Sequence, residues 1–196
     1  MNGSQKNKSD YLERLRLACS EVSKKIKKVN EKLKDKGEWQ EHEATFTAML
    51  YHELIVQGID YSKLSLENQP DTNSKNSKGK KIDLWFEEYQ GDKLDITYAH
   101  EIKLIGVRKV RGGEFGLRFM NSKAGVYGDL IKLDKYLEDE KDEVGIAIAA
   151  YTGKDEISPE KIISLLGHKT SRYTGEKPKN PNLKLLVVSN GESEYA

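Results

Sequence analysis

Two strand-like segments near the middle of this chain carry ionisable side chains where a strand ordinarily carries apolar ones. Lys80-Lys81-Ile82-Asp83-Leu84-Trp85-Phe86 reads as one strand and Ile96 to Ile105 as a second, with Gly91-Asp92 as the turn signal between them. Side chains alternate along a strand, so Glu101 and Lys103 leave one face while His100, Ile102 and Leu104 leave the other. A hairpin therefore brings Asp83, Glu101 and Lys103 towards one point. Ionised groups in an apolar strand are costly unless they are paired with one another or bind a cation. The expectation is that they bind a divalent metal and act on phosphodiesters.

Composition limits what can surround that hairpin. With 196 residues, 36% of them hydrophobic, one catalytic-size domain with a core and an attached helix is expected. Charged residues reach 33%, but the net charge is only +1, so a nucleic-acid partner must be argued from local basic patches. One cysteine, Cys19, excludes a disulfide framework and a cysteine-rich zinc site and fits a reducing compartment. No apolar run approaches the ~18 residues of a membrane span. A soluble, intracellular protein of the cytoplasm, with no membrane partner, is the expectation.

Met1 to Asp10 is polar and reads as a frayed tail, with Ser9 or Asp10 as the cap of a long helix. Leu12, Leu15, Cys19, Val22, Ile26, Val29 and Leu33 recur in steps of three and four, a coiled-coil-like seam among lysines and acids. That seam either zips to a second copy, giving a homodimer, or docks on the chain's own core. Lys36-Gly37 ends this helix, and a second runs from near Trp39 to about Gln57, stopped by Gly58. Glu43 and Glu53 lie on its apolar face with Phe46 and Leu50, where an acid needs a partner. Leu64 to Glu67 is a short strand, and Asn68 to Lys80 is a polar loop.

Beyond the hairpin, Gly106 to Met120 reads as a glycine-rich loop carrying Arg108, Lys109, Arg111 and Arg118, suited to backbone phosphate. Gly112-Gly113 lacks the ending of a P-loop, which excludes nucleoside triphosphate binding by that device. Asn121-Ser122 caps a helix to about Asp139, Val144 to Tyr151 is a buried strand, and Ser158-Pro159 opens a short helix through Leu166. His168 to Asn182 is a basic loop, Leu183 to Ser189 a last buried strand, and Gly191 to Ala196 a tail. Thr174-Gly175-Glu176-Lys177-Pro178 matches a zinc-finger linker, but one cysteine cannot build a finger.

A helix with Glu43, a strand with Asp83, a strand with Glu101-Ile102-Lys103, then helix, strand, helix and strand resembles the PD-(D/E)XK nuclease superfamily over roughly Trp39 to Ser189. The resemblance implies an α/β fold, the restriction-endonuclease-like central mixed sheet flanked by helices, here with an N-terminal coiled-coil-like helix. It divides the chain into residues 1–36, a tail and an amphipathic dimerisation or docking helix, and residues 37–196, the nuclease-like domain. Carried over, Asp83 and Glu101 are the metal carboxylates, helped by the Ile102 carbonyl, and Lys103 orients or activates the attacking water. Glu43, near the helix start, matches the acid of the family's first helix, with Glu53 on the same face as the alternative, while the family's proline before the aspartate is Ile82 here. Tyr127 to Leu133 is similar to the helix that follows the motif in several members and adds Lys123, Tyr127 and Lys132 as secondary site residues.

The expected activity is that of an endonuclease dependent on Mg²⁺ or Mn²⁺, because oxygen ligands and water suit those ions better than zinc. Its expected substrate is nucleic acid, DNA in the first instance. Lys80, Lys81, Arg108, Lys109, Arg111, Arg118, Lys123 and Lys132 are the candidate nucleic-acid-binding residues, holding backbone without reading sequence. Two other readings stand beside it. One is a catalytically inactive nuclease-fold subunit, for nucleic-acid binding or assembly, in which the acids and the lysine only neutralise one another. The other is an interaction protein whose business is the N-terminal coiled coil.

Overall fold

The computed structural model describes residues 3–33, 43–68, 81–109, 115–118, 125–137, 143–153, 155–167 and 178–196. Its regular elements begin with helices α1 (Gly3–Leu33) and α2 (Glu43–Val56), followed by strands β1 (Leu64–Asn68), β2 (Ile82–Gln90) and β3 (Lys93–Leu104). A short pair, β4 (Gly106–Lys109) and β5 (Phe115–Arg118), precedes α3 (Val126–Tyr136), β6 (Glu143–Tyr151), α4 (Pro159–Gly167), β7 (Leu183–Ser189) and β8 (Glu192–Tyr195).

Six strands form one mixed sheet in the order β1-β2-β3-β6-β7-β8. The outer pairs β1–β2, β2–β3 and β7–β8 are antiparallel, and β3–β6 and β6–β7 are parallel. Each parallel pair requires a crossover, which α3 and α4 supply. Strand alternation then sorts the core into two layers. Leu84, Phe86, Ile96, Tyr98 and Ile102 pack with α1 and α2, whereas Trp85, Ala99, Ala147 and Val187 pack with α3 and α4. The central strand β6 is buried on both faces, which is why its sequence is a continuous run of Val, Ile, Ala and Gly. Among the described residues no helix is long and apolar enough to cross a membrane.

The first helix belongs to this core. Tyr11, Leu15, Ala18, Cys19, Val22 and Ile26 are buried against the sheet. Val29, expected in the seam, is 44% exposed, and Asn30 takes the inward position instead, donating to the Thr152 carbonyl. Tyr11 stacks on Phe86, and its hydroxyl meets His100 Nε2 at 3.0 Å, while His100 Nδ1 reaches the Leu84 carbonyl at 2.9 Å. Burial drops the His100 pKa to about 4, so this ring is a neutral core group. Lys25, among the lysines that flank the seam of α1, is tied to the buried carboxylate of Glu53 on α2. Of the two uses open to the seam, the fold shows the docked one.

Several boundaries differ from those read in the sequence: β2 runs on to Gln90, α3 starts at Val126 with Gly125, not Asn121-Ser122, at its N-cap, and three further segments change character. Helical backbone already begins at Gly3, so the polar residues before Asp10 are the first turns of α1 rather than a tail. In the glycine-rich segment after Ile105, residues 106–109 and 115–118 pair as a two-stranded ribbon, with Gly106 opposite Arg118 and Lys109 opposite Phe115. The C-terminal residues are strand β8, joined to β7 through Asn190 and Gly191, both at positive φ (53° and 84°) as a tight hairpin turn needs. Asn-Gly between alternating residues is itself a hairpin signal. Ser193 Oγ donates to the Arg16 carbonyl and Tyr195 Oη to the Leu12 carbonyl, fastening β8 to α1. Trp39, the loop 69–80 and the segment 168–177 lie outside the described residues.

Because Leu15 is fully buried, Leu15→Ala is expected to lower the unfolding free energy by about 2–5 kcal/mol, read as a lower denaturant midpoint at unchanged molecular mass. An unmoved midpoint with a changed mass would instead make α1 an oligomerisation arm.

Candidate active site

The antiparallel register of β2 and β3 runs from Gln90↔Lys93 to Leu84↔His100. One residue beyond that pair stand Asp83 and Glu101. Here a side chain takes over from the backbone ladder, as Asp83 Oδ2 accepts the Ile102 N–H at 2.7 Å. This charge-assisted bond fixes the carboxylate against the strand that bears the other two groups. Glu101 leaves β3 on the face covered by α3 and is 5% exposed. Lys132 of α3 donates to Glu101 Oε1 at 2.5 Å and to the Lys81 carbonyl at 2.7 Å.

Lys103, two residues on, lies nearer the end of the sheet, where the first turn of α2 arrives. Its ammonium donates to Glu43 Oε2 at 2.9 Å and Oε1 at 3.2 Å. Glu43 Oε2 also faces the Leu104 N–H at 3.4 Å. Helix α2 therefore presents one of its two inward acids at each end. Glu43 at the start meets Lys103, and Glu53 near the end is satisfied by Lys25. Burial of Phe46, Leu50 and Leu54 sets the helix rotation that permits both.

The electrostatics are those of too many acids in too little water. Burial, opposed by the Ile102 amide and reinforced by Glu43, raises Asp83 above the ordinary carboxylate range. Burial also lifts Glu101 to about 7, with the Lys132 hydrogen bond pulling down and the Asp83 charge pushing up. Asp129, in the first turn of α3, is raised by burial to about 6, against the charges of Lys103 and Lys132. Its Oδ2 is buried and has no hydrogen-bond partner among the described residues. Burial disfavours the Lys103 charge as well, but Glu43, Asp129 and Asp83 outweigh it and hold the ammonium above its ordinary pKa. Clustered carboxylates that each resist ionisation mark a functional-site candidate.

All four sequence-derived site residues, Glu43, Asp83, Glu101 and Lys103, thus come together at one end of the sheet. Asp129, which the sequence reading does not single out, joins them from α3. Lys132, expected as a secondary site residue and among the nucleic-acid-binding bases, is turned inward onto Glu101, whose buried carboxylate takes the cation. Tyr127 donates to the Leu166 carbonyl, a link between α3 and α4. Lys81 is exposed and paired with Glu67 at 2.8 Å. Arg108, Lys109 and Arg118 lie on the β4–β5 ribbon, and Lys80, Arg111 and Lys123 lie outside the described residues.

A cleft of about 450 Å³ opens beside the cluster, between α2 and the edge strand β1, with Glu43 and Asp83 in its wall. Asp83 spends Oδ2 on Ile102 and Glu101 spends Oε1 on Lys132, so each has a second oxygen that could ligate a cation. Among the described residues no group of three His, Cys, Asp or Glu side chains is arranged to hold a metal ion by itself. Comparisons with protein-family models, with curated proteins and with solved structures find no match.

The sign of the Glu101 shift gives a direct check. A folded pKa of about 7, above the ordinary 4.5, means that the ionised carboxylate opposes folding once the pH rises through that value, and that this effect is absent below the unfolded pKa. Glu101→Gln is expected to raise stability near pH 8 by on the order of 2 kcal/mol, after allowing for water at the cleft, and to change nothing near pH 4. Thermal unfolding of both proteins across that range measures it; a gain that did not depend on pH would contradict the shift.

Proposed function

We propose that this chain is a metal-dependent nuclease, a DNA endonuclease of the restriction-endonuclease-like kind, acting at the Asp83, Glu101 and Lys103 cluster. The observation that carries this reading is that an acid from α2, an acid from β2, and an acid and a lysine from β3 lie at one end of the sheet, with the α2 and β2 acids lining a cleft and the α2 acid holding the lysine. The element order supports it too: a helix, an antiparallel run of three strands, then a crossover helix to a parallel fourth strand.

Mg²⁺ or Mn²⁺ suits this donor set. Mg²⁺ usually keeps several waters and is held by one or two carboxylates, so Asp83 and Glu101 suffice without a third protein acid. The raised pKa values of both, and the unpartnered oxygen of Asp129, describe negative charge that a cation would relieve. When bound, the ion supplies a water of lowered pKa and charge neutralisation at the phosphate.

The chain's own residues do the rest. Lys103, held by Glu43, places a fixed positive charge where negative charge develops on the phosphoryl oxygens, and its N–H groups orient the attacking water. Glu43 keeps that ammonium in place and charged. Asp129, whose pKa is raised to about 6 beside the same two lysines, could take up the proton that water loses. Lys81 with the basic residues of the β4–β5 ribbon, Arg108, Lys109 and Arg118, would hold the nucleic-acid backbone, joined by Lys80, Arg111 and Lys123 from the neighbouring segments. Such contacts position the substrate without specifying its sequence.

A second reading has its own observation. Both lysines of the cluster are already paired, Lys103 with Glu43 and Lys132 with Glu101, as in a nuclease-fold subunit that binds nucleic acid or assembles without cutting it. Cleavage separates the two. Plasmid DNA is expected to be nicked with Mg²⁺ or Mn²⁺ and left intact with EDTA. Lys103→Met is expected to lower the rate by ~10²-fold or more, the loss of about 3 kcal/mol of transition-state stabilisation, without lowering the melting temperature. Intact plasmid under every condition, bound but uncut, would favour the second reading; cutting by Lys103→Met at the wild-type rate would refute the mechanism.

Backbone holding has a separate signature. Replacing Arg108 and Arg111 by alanine is expected to weaken DNA binding on all sequences alike and to reduce the salt dependence of log K by ~1 for each phosphate no longer neutralised. Fluorescence anisotropy over a salt series reads it, and an unchanged slope would remove the ribbon from the interface.

A further inference from the structure

We propose that the C-terminal half of α1 is a second contact surface for nucleic-acid backbone, where Lys28 and Lys32 hold phosphates of the substrate some nucleotides away from the cut. The inference rests on the nuclease reading above and extends its interface to an element that carries none of the candidate catalytic residues. Three contacts fix this half of the helix at the site end of the sheet. Asn30 donates to the carbonyl of Thr152, which directly follows β6, and β6 sets Ala149 beside Lys103 and Ala150 beside Leu104. The Gly191 N–H, just past the end of β7, donates to Ser23 Oγ, and Lys27 meets Glu156 at 3.3 Å. One strand spacing and one helix diameter leave roughly 20 Å between Lys103 and the outer face of α1, about six nucleotides of one strand.

Asn30 also decides which lysines face water. It is fully buried, and a helix turns about 100° per residue, so the residues two before and two after it point away from the core. These are Lys28 and Lys32, both exposed, with the exposed Val29 beside them. The neighbouring lysines are engaged, Lys24 with Glu21, Lys25 with Glu53 and Lys27 with Glu156. Lys28 and Lys32 have no ion pair among the described residues. The charge pattern favours a polyanion. Lys24 to Leu33 holds five lysines and one acid, Glu31, a net +4 in a chain whose total is +1, which leaves −3 for the remainder. A phosphate backbone is therefore drawn to this helix and not to the molecule at large. Anionic lipid has the complementary charge too, but the place of the helix at the site end of the sheet favours the substrate.

Binding of a duplex of about 30 base pairs in EDTA, where no cutting occurs, tests this by fluorescence anisotropy over a salt series. The double variant Lys28→Gln, Lys32→Gln is expected to bind at least ~fivefold more weakly near ~0.1 M salt and to lower the salt slope of log K by ~2, one for each phosphate released. Arginine at both positions should bind as the wild type does. Lys63→Gln with Lys93→Gln removes the same charge at the opposite end of the sheet, next to Phe86 and Gln90, and should change neither quantity. With Mg²⁺, the Lys28→Gln, Lys32→Gln protein should show a raised KM for plasmid nicking at unchanged kcat, because these lysines hold substrate and do not touch the reacting phosphate. Wild-type affinity and slope in that variant, with nicking intact, would overturn this inference and leave the nuclease reading standing. An equal loss in the Lys63→Gln, Lys93→Gln protein would do the same. Loss of binding to phosphatidylserine vesicles with DNA binding intact would overturn it in favour of a membrane surface. A wild type that binds no DNA with or without Mg²⁺ would overturn both.

Discussion

The hydrogen bond from the Ile102 N–H to the Asp83 carboxylate marks the point where a sheet becomes a site. Up to Leu84↔His100 the two strands pair in register, and their side chains divide between two apolar layers. At Asp83 the carboxylate takes a backbone amide of the neighbouring strand, and the next outward groups of β3 are charged. A carboxylate in that position cannot be satisfied by one amide. Glu43, Lys103, Lys132 and Asp129 are gathered around it from three other elements, and their mutual repulsion and attraction account for the raised pKa values there. Charges concentrated in this way oppose folding, and the large two-layer core elsewhere offsets them.

The packing of α1 has a similar logic. A helix with this many lysines and acids contributes little by itself. It is held because one stripe, Tyr11 to Ile26, covers the apolar face of β2, β3, β6 and β7. The same helix fixes Glu53 through Lys25 and so helps set the rotation of α2, which delivers Glu43 to Lys103. Strand β8, bonded back to α1 by Ser193 and Tyr195, closes the same layer from the other end of the chain.

Much of this was legible in the sequence because it rests on local rules. The Gly91-Asp92 turn, the strand alternation around Glu101 and Lys103, the apolar run of β6 and the positions of Glu43 and Glu53 on α2 follow from periodicity and turn chemistry. What was not legible depends on partners far apart in the chain. Nothing local says that Tyr11 rather than Leu12 turns inward, since that is decided by the Phe86 and His100 rings it meets. Lys132 is legible as a residue near the site, but not its pairing with Glu101, because that acid lies on another element. Asp129 has no sequence signal that sets it apart, and only the fold places it opposite two lysines. The β8 hairpin was legible locally, because Asn190-Gly191 is a hairpin-turn signal.

The proposed chemistry depends on one physical claim, that the second oxygens of Asp83 and Glu101 face a common point suited to a hard cation. Crystals grown with Mn²⁺ and measured at its absorption edge test that claim without reference to any substrate. The account predicts an anomalous peak in contact with both carboxylates, beside Lys103. A crystal in which Mn²⁺ is absent from that point, with Asp83 and Glu101 still bonded only to Ile102 and Lys132, would contradict it.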